Sequence, residues 1–140
     1  MTDTVADVTM PDPVLLAKEL LEDVSAVTAL VSTRILSRTG DPLPTRPFVR
    51  LDLVGGLTID DRVLDAPRLQ VHVFGAYESE VYTLDAARTV RAAFVHSRNY
   101  VGTVGVVTGS DTTTPQLLPD LTHSPPLVDA TFTVTLYTHP

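Results

Sequence analysis

The sequence predicts an α+β domain: a single, mostly antiparallel β-sheet with two helices packed on one face. Three observations predict it. Apolar residues recur at three- and four-residue spacing over Val14–Asp23 and Val81–His96, the period of an amphipathic helix. They alternate with polar residues over Val49–Val54, Arg68–Phe74 and Val128–Tyr137, the period of a half-buried strand. Finally, three strand candidates lie between the helices and the others follow the second helix. That order suits an α+β sheet rather than repeated β-α-β crossovers. The 140 residues fit one domain, 1–140, with one core and an acidic, flexible lead-in over 1–12.

The elements follow in order. Asp12-Pro13 is a helix start, with Asp as N-cap and Pro at the first helical position. Val14, Leu15, Leu16, Ala17, Leu20, Leu21 and Val24 make the apolar stripe, while Lys18, Glu19, Glu22 and Asp23 take the other side. Ser25 is read as the cap of a second short turn carrying Ala26, Val27, Ala29 and Leu30. Arg34–Arg38 is a short strand, ended by a loop because Pro42, Pro44 and Pro47 cannot sit in a central strand. Phe48–Val54 is a strand that Gly55-Gly56 ends, and Leu57–Ala66 is a charge-bearing connection. In Pro67–Ala76, Leu69, Val71 and Val73 alternate with Arg68, Gln70 and His72. The stripe of the helix over 78–97 is Ala86, Ala87, Val90, Ala93 and Phe94, whose small alanines suit close packing on a sheet. Thr103–Thr108 is a strand, Gly109–Thr114 a flexible turn and Gln116–Leu118 a short edge strand. Leu127–His139 alternates most cleanly, and the last two strands are expected to form a hairpin.

Composition removes several function classes. With no cysteine, a thiol nucleophile, a Cys-ligated zinc and a disulfide scaffold are excluded. A formal charge of −7 argues against a free-standing nucleic-acid binder, which shows a basic face. No apolar run approaches the roughly 18 residues of a membrane span, and the first residues lack the basic region of a signal peptide.

Motifs for chemistry are scarce. No phosphate loop, nucleophile elbow or His-Glu-x-x-His occurs, and Gly102, Gly105 and Gly109 are too widely spaced for a dinucleotide fingerprint. His72, His96, His123 and His139 are scattered and read as surface residues, none sharing the spacing of a metal pair. Asp60, Asp61 and Asp65 lack the ligand order of a calcium loop. No catalytic residue, metal site or cofactor is assigned. Two features stand out as candidate interface. Leu57, Ile59, Val63 and Leu64 put large aliphatics into a charged connection, and Arg88 and Arg91 lie one turn apart on the second helix.

The whole pattern resembles the tail terminator (tail completion) proteins of long-tailed bacteriophages, of the kind common in phages of actinobacteria. The resemblance rests on the helix Val14–Val24, the turn Ala26–Val31, Thr33-Arg34-Ile35, and the proline-rich loop into Pro47-Phe48-Val49. It rests most on Pro67-Arg68-Leu69-Gln70-Val71-His72-Val73-Phe74-Gly75-Ala76, where relatives carry a similar Arg-x-Gln-Val-Asp-Val-Trp run. His72 and Phe74 depart from that run but keep its polar and aromatic character. Leu118-Pro119-Asp120 and the closing strand match as well.

The resemblance implies a non-enzymatic virion protein, made in the host cytoplasm and located at the neck end of the tail. It implies a six-membered homo-oligomeric ring on the last ring of the tail tube, which stops tube growth and meets the head-side connector. The partners are then itself, the major tail tube protein and the connector, with DNA only passing through the lumen. A negative lumen suits that passage, since like charges repel. The rival readings are a head-completion or connector protein of the same neck, a small-molecule-binding or enzymatic domain using His72 or Asp52, and a peptide-binding module using a sheet edge.

Overall fold

A computed structural model describes residues 10–37, 45–60, 64–122 and 125–140. Helices α1 (Pro13–Glu22), α2 (Ser25–Val31) and α3 (Glu80–Val95) pack on a seven-stranded sheet. Its strands are β1 (Ile35–Leu36), β2 (Phe48–Asp60), β3 (Leu64–Ala76), β4 (Tyr100–Val101), β5 (Val106–Thr112), β6 (Gln116–Asp120) and β7 (Leu127–His139). The order is β1-β2-β3-β7-β5-β4, with β6 also on β7. Only the β1–β2 pair is parallel. The expected class and mostly antiparallel sheet are therefore present, with one more helix than predicted.

Local chemistry explains the elements. Asp12 Oδ1 accepts from the Val14 and Leu15 amides at 3.0 and 3.2 Å, so the predicted cap holds the start of α1. The predicted turn after it is the helix α2, and its N-cap is Val24 rather than Ser25. It forms without a side-chain cap because Val27 and Val31 are fully buried, so packing outweighs the missing bond.

The alternation assigns the faces. Val49, Leu51, Leu69, Val71, Val73, Ala130, Phe132, Val134 and Leu136 join the helices in one core. Phe94 of α3 meets Phe132 edge-on at 6.2 Å between ring centroids. On the opposite face Phe48, Phe74 and Leu127 form a second small cluster, with the two Phe rings stacked at 5.0 Å.

Gly75 lets α3 approach β3, since a Cβ there would lie 1.9 Å from Thr83 Oγ1. Thr83 is fully buried and donates to Ser79 O at 2.8 Å, so it cannot swing away freely. Gly75→Ala is expected to cost about 1–3 kcal/mol by overpacking, read from the midpoint of urea unfolding.

Several expectations are corrected. Gly55 and Gly56 do not end β2, and of the expected connection Leu57–Ala66 the described parts, 57–60 and 64–66, are strand. The two glycines adopt φ of 139° and 136°, which favours Gly, and sit at a register shift between Leu53 and Gly55 through which the strand continues. Gly109–Thr112 is strand rather than turn, and the Thr103–Thr108 candidate begins only at Val106, because Gly102 and Gly105 close a turn at 2.8 Å. The last two strands do pair as a hairpin, β6 running antiparallel to the N-terminal half of β7, while β5 pairs antiparallel with its C-terminal half.

Tyr100 ties β4 to the end of α1, its hydroxyl donating to Asp23 Oδ2 at 2.5 Å. Burial first, then the Asp23 hydrogen bond and charge, raise its pKa above the ordinary phenol value. The folded chain therefore keeps a proton that the unfolded chain releases above pH about 10. This stabilisation is complete below that pH and is lost as pH rises through the folded value. Stability from urea titrations at pH 8 and pH 11 should fall less steeply with pH in Tyr100→Phe than in wild type.

Candidate functional site

The β2–β3 hairpin holds the aliphatic run. β1 pairs only with Val49 and Arg50, so among the described residues no strand covers the outer edge of β2 beyond them. That edge carries Leu53, Val54, Leu57 and Ile59 at 54, 49, 72 and 53% exposure. It contains neither Lys nor Pro, the residues that usually protect an edge strand from pairing. Leu64 opens β3 and is half-buried opposite Asp60. Val63 lies outside the described residues, as do Asp61, Arg62 and His123. Leu53 and Val54 join the run that the sequence singles out, because the strand continues through the glycines expected to end it.

The arginines of α3 separate. Arg88 is exposed and pairs with Asp85 at 3.0 Å within the helix. Arg91 turns to the sheet and donates from Nε to Thr112 Oγ1 at 3.0 Å. They do not form a joint basic site.

His72 is not a surface residue as expected. Its Nδ1 lies 2.7 Å from Asp129 Oδ2 and its Nε2 3.2 Å from Asp52 Oδ2. The His72 and Asp129 side chains are 12 and 13% exposed. The register produces this arrangement: His72 stands opposite Arg50 on β2 and Thr131 on β7. Asp52, two residues after Arg50, and Asp129, two residues before Thr131, become its diagonal neighbours on opposite flanks. Arg50 Nε adds a 3.1 Å bond to Asp52 Oδ2, and both the Arg50 guanidinium and the His72 ring lie against Phe74.

This cluster looks like chemistry, but its geometry is that of a strut. A general base needs one ring nitrogen open to substrate. Both nitrogens of His72 face carboxylates. Asp129 Oδ1 is buried without a partner among the described residues. Among the described residues no group of three or more His, Asp or Glu side chains is arranged to hold a metal ion. His96 caps the C-terminal end of α3 and is exposed, as expected, whereas His139 at the end of β7 is half-buried. An open groove of about 590 Å³ crosses the same face, lined by Val54, Arg68, Asp111, Thr112, Thr133 and Thr135 among others. No helix of the described residues is long and apolar enough to cross a membrane.

No family model matches the sequence, and no curated protein matches it. The fold, however, is similar to that of a solved chain described as the virion of a native gene transfer agent particle. The TM-score is 0.58 at 15% identity, covering 97% of this chain and 99% of the other. The likeness therefore takes in the whole domain and shows a shared fold.

Proposed function

We propose that this chain is a structural protein of a phage-like virion, and specifically a ring-forming tail terminator. It caps the tail tube, stops its polymerisation and forms the joint to the head-side connector. The observation that carries the reading is the fold likeness to a virion chain over almost the full length of both. The open, apolar edge of β2 supports it, because an uncovered edge of this kind gains by being covered in an assembly. The occupied nitrogens of His72 weigh against the enzymatic rival.

Ile59→Asp tests the edge. At 53% exposure the substitution leaves the monomer folded, whereas in a covered interface it buries an unpaired carboxylate. Particles made with the variant are expected to show tails of uncontrolled length or heads without tails. Normal tails and normal joining would remove this edge from the interface. Deleting the gene separates the readings: uniform, joined tails remove the terminator role, and uniform tails that fail to join heads point to the connector rival. The open edge also favours a peptide-binding module that adds an extended segment to β2, and that module predicts normal particles after deletion.

A further inference from the structure

Followed backwards from α1, the chain crosses the sheet away from its open edge. Pro13 lines a notch of about 290 Å³ with Leu53, Gly56, Leu57, Asp65 and Pro67 among others, at the β2 flank. Pro11 is buried against Gly105, where a Cβ would lie 2.7 Å from the proline ring, just before β5. The sheet runs β2-β3-β7-β5, so residues 1–9 join the described chain at the flank opposite the open edge. Five of the eight residues 2–9 are β-branched (Thr2, Thr4, Val5, Val8 and Thr9) and none is Gly or Pro, a composition that suits a strand. Along the edge itself, Leu51–Asp60 face no further strand among the described residues, and 53–57 are all exposed. The outward N–H and C=O groups of such an edge are a template for an extended segment.

From this we infer that residues 2–9 of one copy add to the open edge of β2 of the next copy as an extra strand. Each copy then gives a strand at one flank of its sheet and takes one at the other. Length favours this occupant: eight extended residues match the eight of 53–60. To reach its own edge the segment would first cross from β5 to β2, about 14 Å at ~4.8 Å a strand. That uses about four residues and leaves too few to line the edge. Alternation then sets Ala6 and Val8 on one face of the added strand and Val5, Asp7 and Thr9 on the other. The small apolar pair suits the shallow notch beside Leu53 and Leu57 on the helix face. On the opposite face Asp7 comes to the side of Arg68, which stands across from the side-chain-free Gly55, is exposed and forms no ion pair among the described residues. The acids nearest Arg68 on that face are already engaged, Asp52 by Arg50 and His72 and Asp111 by the Tyr137 hydroxyl. Because donor and acceptor lie on opposite flanks, the contact is heterologous, the type that closes into rings when the rotation allows. The exchange rests on the edge of β2 being an interface, as proposed above, and on the ring only for its biological use.

The test is disulfide trapping in the full chain, which has no cysteine of its own. One chain, carrying a size tag, has Ala6→Cys. Its partners have Leu53→Cys, Leu57→Cys or Ile59→Cys on the edge, or Val95→Cys at the far end of α3 as the control, all at exposed positions. Circular dichroism and thermal unfolding verify that each folds as wild type does. After oxidation of equal mixtures at high concentration, at least one edge partner is expected to yield at least tenfold more tagged–untagged heterodimer than the Val95→Cys control. Edge yields no greater than the control would overturn the inference. So would an intrachain disulfide in a chain carrying Ala6→Cys and the best edge cysteine together at nanomolar concentration, since the segment would then cover its own edge. The exchange and the terminator role fail separately. An edge-specific cross-link with normal tails after gene deletion keeps the exchange and removes the terminator role. Aberrant tails after deletion with no edge-specific cross-link do the reverse.

Discussion

Phe132→Ala is expected to lower stability by about 3–5 kcal/mol, a large share of the roughly 5–15 kcal/mol that holds a domain of this kind together. Phe132 is 2% exposed at the middle of β7, opposite Val71 of β3 and edge-on to Phe94 of α3. Removing the ring leaves a cavity among Val71, Phe94 and their neighbours. β3 and β7 are hydrogen-bonded on both sides and cannot close over it without breaking ladder bonds. Thr133→Ala, one residue on and facing the other side of the sheet, is the control and should stay within about 1 kcal/mol. Guanidinium titrations of both variants decide the matter. A loss below 1 kcal/mol for Phe132→Ala would mean that this face is not the core.

That core was legible because period alone assigns faces. Leu69, Val71 and Val73 alternate with polar residues, and so do Val128, Ala130, Phe132, Val134 and Leu136, so the buried set follows without knowing which strands pair. What pairs with what was not legible. Asp52, His72 and Asp129 all stand on the polar side of their strands, and nothing in the spacing of residues 52, 72 and 129 reveals that two registers make them neighbours. Gly55-Gly56 misled for a different reason. Glycine ends strands and also permits bulges within them, and only the close approach of Gly56 to Ala66 and Pro67 distinguishes the two. The same error hid half of the candidate interface, since Leu53 and Val54 belong to one continuous edge with Leu57 and Ile59. Val81 and Val95 lie off the apolar stripe, and their exposure is known only once the helix is placed on the sheet.

His72→Ala should cost about 2–4 kcal/mol, far more than a scattered surface histidine would. The imidazole spans Asp129 and Asp52, at 2.7 and 3.2 Å, and covers part of Phe74. Without it two half-buried carboxylates remain on either side of a gap. Asp129 then loses the one side-chain hydrogen bond it makes among the described residues, where its other carboxylate oxygen is already buried and unpaired. The cost therefore comes mainly from stranding the acids, and this can be measured. In a background carrying Asp52→Asn and Asp129→Asn, the same His72→Ala change should lose much less, with a coupling energy of about 1–3 kcal/mol in the cycle. A coupling near zero would mean that the contacts at 2.7 and 3.2 Å contribute nothing to stability. The cycle also separates strut from site. As a strut, His72 matters only through folding, so His72→Ala particles assembled at a temperature where the variant is folded should have normal tails. Folded His72→Ala protein that fails to assemble would place His72 at a contact with another molecule and would end the reading of it as a strut.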